Sequence, residues 1–232
     1  MPLDFAEFDS RGYRTLDVRT GYREWLPTYE DTVQDAMDLA LLDELRTVDW
    51  SGRAADLGCG TGRTAAWLRA HGTDRIDGVD LTPEMLEVAR ERGMHDSLRE
   101  GDVADTGLEP GAYDLVIASL VDEHLASLGP LYAEARRLAR LGGAFVLVCF
   151  HPHFIMATGM PTHFTGASGE PLAISTHVHL LGDHVTAGLE AGWTLAEMRE
   201  GVIDDRWLAV KPKWERFRNH PISVAFAWRR PA

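Results

Sequence analysis

The chain has 232 residues, 45% of them hydrophobic and 25% charged, a globular balance long enough for one sizeable α/β domain. Its 36 acidic and 23 basic residues leave a formal net charge of -13, which argues against nucleic acid as a partner, since phosphates are neutralised by clustered Lys and Arg. No apolar run approaches the ~20 residues of a membrane span, and Met1 to Ser10, with Asp4, Glu7 and Asp9, has neither the basic nor the apolar region of a signal peptide.

Residues 28–45 place Val33, Met37, Ala40, Leu41 and Leu45 at helical spacing, with Thr28 as the cap. Residues 53–58 read as a short buried strand entering a Gly-rich turn, and a helix follows from about Gly62 to Ala70, closed by Gly72. Residues 75–81 form the next strand. Thr82-Pro83 then starts a helix that Gly93 ends. A weak strand near Leu98 leads to Gly101-Asp102, residues 113–119 form a clean apolar strand, and residues 130–141 form a helix stopped by Gly142-Gly143. Residues 144–150 are apolar throughout. Strands that alternate with helices and are apolar on both faces indicate a parallel sheet covered on both sides. Residues 151–176, rich in His, Pro, Gly and Thr and without a period, are expected to form a long functional loop or lid. Residues 183–191 look helical, 194–203 alternate like a strand, 204–221 form a second insertion and 222–228 a last strand. One domain spans 1–232, with a helical cover (1–50), a cofactor-binding core (51–150) and substrate-side insertions (151–182 and 204–221).

The turn Asp56-Leu-Gly-Cys-Gly-Thr-Gly62 joins a strand to a helix. Glycines there let the backbone turn tightly and approach a ligand, beside the free N–H groups of the helix start. Any tight strand-to-helix junction could look like this, and a dinucleotide-binding turn is a competing reading, although the G-x-G-x-x-G spacing is absent. Asp80 ends the next strand ~20 residues on, where a carboxylate can bind both ribose hydroxyls. Asp102 follows the strand after that, at the edge where an adenine amino group could be accepted.

Ala54-Ala-Asp-Leu-Gly-Cys-Gly-Thr-Gly62, Gly78-Val-Asp-Leu-Thr-Pro-Glu-Met85, Gly101-Asp-Val103 and Tyr113-Asp-Leu-Val-Ile-Ala118 resemble successive motifs of the class I S-adenosylmethionine-dependent methyltransferases. The similarity is greatest to the small-molecule branch that includes the ubiquinone- and menaquinone-biosynthesis enzymes. Leu141-Gly-Gly-Ala-Phe-Val-Leu147 and Ala191-Gly-Trp193 extend the resemblance to roughly two thirds of the chain. It implies a doubly wound, mostly parallel, seven-stranded α/β sheet of Rossmann-like type, with an antiparallel last strand and a lid insertion after the fifth strand. It also implies S-adenosylmethionine as cofactor. Asp56, Gly58, Cys59, Gly60 and Gly62 would then hold its methionine end. Asp80, with Leu81 and Met85 beside it, would hold the ribose, and Asp102 and Val103 the adenine. Ser119 and Leu120 would line the sulfonium side, and Tyr22 or Trp25, ahead of the first full helix, would meet the carboxylate or close the pocket.

Methyl transfer is an in-line displacement in which the enzyme orients an acceptor and, for a hydroxyl or acidic carbon, removes a proton. Ligands of open α/β sheets bind beyond the carboxyl ends of the strands, so candidate bases follow the fourth and fifth strands: His124 first, then His151 and His153. Their alternation allows one of the last two to face a cleft. His124 could equally cap or fill a helix start. Seven of the ten His follow Phe150, but their spacing is not that of a zinc site, neither Cys59 nor Cys149 accompanies them, and no metal is expected. Two isolated Cys suit a reducing, cytoplasmic location. The one basic concentration, Lys211 to Arg216 with Arg218 and His220, reads as a solvated loop, with binding of an acidic substrate as the alternative. The expected partner is a small-molecule acceptor, O- or C-methylated in preference to N-methylated and phenolic or quinone-like, with neither nucleic acid nor membrane; a monomer and a homodimer are both open. A non-catalytic cofactor-binding subunit is the alternative function. A nucleic-acid or protein methylase is disfavoured, because Ser119-Leu-Val-Asp122 stands where amino-methylating DNA enzymes carry Pro-Pro-aromatic.

Overall fold

The computed structural model describes residues 3–33 and 37–232. The chain begins with β1 (Arg14–Leu16), α1 (Val18–Thr32) and α2 (Met37–Leu42), then alternates β2 (Gly52–Leu57), α3 (Arg63–Ala70), β3 (Thr73–Asp80), α4 (Pro83–Arg92), β4 (Ser97–Glu100) and β5 (Tyr113–Ser119). It continues through α5 (Gly129–Leu138), β6 (Ala139–Phe150), α6 (Pro152–Thr158), β7 (His163–Thr165), β8 (Pro171–Ile174), α7 (Leu181–Glu190), β9 (Thr194–Val202), α8 (Asp205–Val210) and β10 (Pro221–Arg229). Seven strands form one sheet in the order β4-β3-β2-β5-β6-β10-β9. The first five are mutually parallel, and β10 runs antiparallel to both its neighbours.

The sheet is buried on both faces because its strands are apolar at both parities. In β5, Val116 and Ala118 face one core with Tyr132 and Leu138 of α5, while Leu115 and Ile117 face another with Leu41 of α2 and Leu68 of α3. In β6, Phe145, Leu147 and Cys149 point to the first layer and Ala144, Val146 and Val148 to the second. This two-unit alternation between two apolar layers places the helices on opposite sides. The chain order reverses between β2 and β5, and ligands bind beyond the carboxyl ends of strands at such a reversal.

Three segments differ from the sequence expectation. The first helix begins at Val18, not at Thr28, because Asp17 accepts a hydrogen bond from the Thr20 N–H and starts the helix ten residues earlier. Pro27 lies inside that helix, and residues 34–36 of the expected 28–45 helix lie outside the described residues. The helix expected over 130–141 ends at Leu138, and Ala139 to Gly143 open β6, with Ala139 opposite Tyr113. Leu141, which continued the helical spacing, is exposed. The 151–176 insertion is not one long loop. It folds into α6 and the β7–β8 hairpin, and β8 pairs in parallel with β1 to make a separate three-stranded sheet. Phe164, Leu172 and Ile174 of this sheet bury Trp25 of α1. The second insertion contributes Leu208 and Trp214 to a further cluster with Phe154 and Ile222. The two insertions and the N-terminal segment thus form a cover over the carboxyl ends of β2 and β5.

Candidate active site

The Gly-rich turn leaves β2 with Gly58 at φ 70° and reaches α3 through Gly62 at φ 84°, a left-handed backbone that favours glycine. A Cβ on Gly58 would also collide with Val121 Cγ1, so the turn can approach the segment after β5 only without one. The N–H groups of Gly58 and Cys59 both donate to Val79 O, at 2.8 and 3.0 Å, which ties the turn to β3. Asp80 Oδ2 accepts the Gly60 N–H and Oδ1 the Thr82 N–H, each at 2.8 Å. Burial raises the Asp80 carboxyl, while these two N–H groups oppose the shift.

A cavity of about 640 Å³ opens at this turn, within the ~300–1,000 Å³ range of small-molecule sites. Its wall contains Gly58, Cys59, Gly60, Asp80, Leu81, Met85, Asp102, Val103, Ser119 and Leu120, together with Tyr22, Trp25 and His124. Asp56 and Gly62 stand behind that wall. Asp56 is buried and its Oδ2 lies 3.2 Å from His95 Nε2. That ring fits because Gly62 and Gly78 have no side chain: a Cβ at Gly78 would lie 2.7 Å from His95 Cδ2. Asp56 therefore holds the back of the turn, and burial keeps Cys59 a thiol by pushing its pKa well up.

Four further wall residues, absent from the sequence-based site, bring polar chemistry to it. Arg63, at the start of α3, pairs with Asp38 Oδ2 at 2.7 Å, and Ser119 Oγ donates to the same oxygen at 3.0 Å. Asp38 is buried and its Oδ1 has no hydrogen-bond partner among the described residues. Tyr29 stands beside this group, its hydroxyl pushed up to about 12, chiefly by burial. The fourth is Glu123, in a 3-10 turn after β5, buried, with Oε1 accepting from Thr162 Oγ1 at 3.1 Å and Oε2 without a partner. Burial, followed by the charge of Asp122, raises its carboxyl well above the usual range. Arg63 and Glu123 adjoin motif residues Gly62 and His124, whereas Asp38 is brought to the site by its contacts with Arg63 and Ser119.

His124 follows Glu123 directly. Its Nδ1–H donates to Ser175 O at 2.8 Å, which leaves the Nε2 lone pair to accept from the Tyr22 hydroxyl at 2.9 Å. Burial lowers its pKa, and the same effect pushes the Tyr22 hydroxyl well up. A neutral imidazole, a neutral phenol and a carboxyl that favours its protonated form thus share one wall of an otherwise aromatic chamber. Trp25 closes it from α1, stacked on Phe164 at 5.6 Å.

His151 and His153 lie outside the cavity wall. His151 caps α6: its Nδ1 accepts the His153 N–H at 3.1 Å and its Nε2 lies 2.9 Å from Glu200 Oε1. His153 is exposed and meets His220 at 3.1 Å. Beneath His124, Asp122 and His184 form a buried pair at 3.5 Å, with Cys149 beside them. Burial alone would raise the Asp122 carboxyl, but hydrogen bonding and charge from His184 hold it low.

Residues 55–147 match the family described as a methyltransferase domain. A malonyl-[acyl-carrier protein] O-methyltransferase of Serratia marcescens is 36% identical over 91 residues, which is 39% of this chain and 35% of that protein. A ubiquinone biosynthesis O-methyltransferase of Burkholderia lata is 34% identical over 100 residues, 39% of this chain and 41% of that protein. The chain thus spans about two fifths or less of the length of these curated relatives. An S-adenosylmethionine-dependent methyltransferase of Mesorhizobium loti superposes with a TM-score of 0.68 at 23% identity, over 85% of this chain and 99% of that one. Residues 55–147 thus match a methyltransferase-domain family, and the whole fold is that of the S-adenosylmethionine-dependent methyltransferase of Mesorhizobium loti.

Proposed function

We propose that the chain transfers the methyl group of S-adenosylmethionine to an oxygen or acidic carbon of a small-molecule acceptor with an apolar, ring-like body. The observation that carries this reading is that one cavity joins the Gly-rich turn and Asp80 to the group formed by Tyr22, Glu123 and His124. Asp80 has spare lone pairs on both oxygens for the ribose hydroxyls. Asp102 and Val103 flank the adenine, Leu81 and Met85 the ribose. Arg63 meets the α-carboxylate, and the unpartnered Asp38 Oδ1 accepts from the α-ammonium.

Tyr22 and His124 would face the acceptor, and the cofactor, when bound, would supply the methyl group from its sulfonium. An aromatic chamber excludes water and orders the acceptor for in-line attack. His124 Nε2, with its tautomer set by Ser175 O, takes the acceptor proton when the acceptor hydroxyl replaces that of Tyr22. Glu123, in its protonated form, donates a hydrogen bond to a neighbouring oxygen of the acceptor. The test is to incubate the chain with methyl-labelled S-adenosylmethionine and a mixed metabolite extract. Label is expected in a small product carrying a new O-methyl or C-methyl group; label confined to protein or nucleic acid would contradict the reading.

A further inference from the structure

Beside the cavity lies a second concavity of about 280 Å³ whose lining includes Arg11, His163, Lys213, Trp214 and Arg216. Met160, His163, Lys213 and Trp214 belong to both walls, so the two spaces adjoin. The cations come from separate parts of the chain: Arg11 precedes β1, His163 lies on β7, and Lys213 and Arg216 lie in the 3-10 turn of residues 212–217. The fold therefore adds Arg11 and His163, from distant positions, to the basic run of residues 211–216.

We infer that this second concavity is an anion subsite, which holds a carboxylate, phosphate or sulfate group carried by the methyl acceptor. The chain has a net charge of -13 and only two lysines, and both line the main cavity. The nearby carboxylates are engaged elsewhere: Glu215 and Asp205 pair with Arg218, and Glu170 pairs with Arg14. Among the described residues, none lies within ion-pair distance of Arg11, Lys213 or Arg216. Three cations without carboxylate partners around one concavity focus a positive potential in an otherwise negative molecule. His163 feels it: burial lowers its pKa first, and the charges of Lys213, Arg11 and Lys211 push the same way. Trp214 is buried against Phe154 and Phe217, so the turn that presents Lys213 and Arg216 is anchored. Arg and Lys together suit an oxyanion, Arg through its planar fork and Lys as a point charge.

The subsite deepens the methyl-transfer reading, since the anion belongs to the acceptor of that same cavity. Its test uses two fluorescent probes that share an aromatic body, 8-anilinonaphthalene-1-sulfonate and the uncharged N-phenyl-1-naphthylamine, on the full chain with and without S-adenosylhomocysteine. The sulfonate is expected to bind at least about tenfold more tightly, as charge-assisted hydrogen bonds imply. The Lys213→Ala/Arg216→Ala double variant should remove that advantage, leaving affinity for the uncharged probe and for S-adenosylhomocysteine unchanged. Equal affinities in the parent chain would overturn the subsite, as would a loss common to both probes or to S-adenosylhomocysteine. Failure of S-adenosylhomocysteine to bind the parent chain would instead count against the methyl-transfer reading, with the probe comparison still decisive for the anion.

Discussion

In the proposed mechanism, the protonation state of His124 decides whether the inner chamber can take a proton from the acceptor. Ser175 O holds the proton on Nδ1, and burial lowers the ring's pKa from 6.5, so the base form persists to lower pH than for an exposed His. The rate of a proton-requiring transfer should then rise with pH through a value below 6.5 and fall again at higher pH, where Glu123 loses the proton it donates to the acceptor. His124→Gln keeps a polar side chain but removes proton transfer, and kcat should fall about a hundred- to ten-thousandfold with cofactor affinity near the parent value. A variant within a few-fold of the parent turnover would remove His124 from that role. At this scale the sequence reveals what lies inside a contiguous motif: Gly58, Gly60, Asp80 and Asp102 all reach the cavity wall. Asp56 belongs to the same motif but turns the other way, toward His95, a partner 39 residues distant. Glu123 and Asp38 were hidden for the converse reason. Their significance comes from burial and unpartnered oxygens that only the fold creates.

Among the elements, β3 and α3 are joined by the ring of His95, which occupies the space where Gly62 and Gly78 lack side chains. Gly78 has no positive φ, so Gly78→Ala introduces no backbone strain; its Cβ would lie 2.7 Å from His95 Cδ2 and 2.8 Å from Leu98 Cδ2. Such overpacking costs about 1–3 kcal/mol. Combined with His95→Ala the two losses should not add, and urea unfolding should show a coupling of at least about 1 kcal/mol. Strict additivity would mean that the ring does not set the size of residue 78. The strand and helix elements of residues 52–119 were legible because local signals coincide with the tertiary outcome: apolar strands, Thr82-Pro83 at a helix start and Gly93 at its end. The cover was not legible. β1, β7 and β8 have three or four residues each, and β1 and β8 are paired only because the fold brings residues 14–16 beside 172–174. No periodicity can develop over so short a run.

Over the whole molecule, charge and topology converge on one end of the sheet. The order reversal between β2 and β5 opens a cleft there, and α1, the β7–β8 hairpin and the second insertion roof it with aromatic side chains. The acidic balance of the composition disfavours polyanions, yet the fold gathers Arg11, Lys213 and Arg216, which have no carboxylate partner among the described residues, beside this cleft. No described helix is long and apolar enough to cross a membrane. In the proposed function, cofactor recognition at the carboxyl ends of β2 and β3 underlies every step. Asp80→Ala removes the carboxylate proposed to accept from both ribose hydroxyls, each charge-assisted bond being worth ~1.5–3 kcal/mol. The most direct measurement is calorimetric titration of S-adenosylmethionine into the parent chain and into Asp80→Ala, with circular dichroism to confirm that both are folded. Expected are one site in the parent chain and at least about tenfold weaker binding in the variant; a folded variant that binds as tightly as the parent would contradict the assignment of Asp80 and the placement of the cofactor built on it.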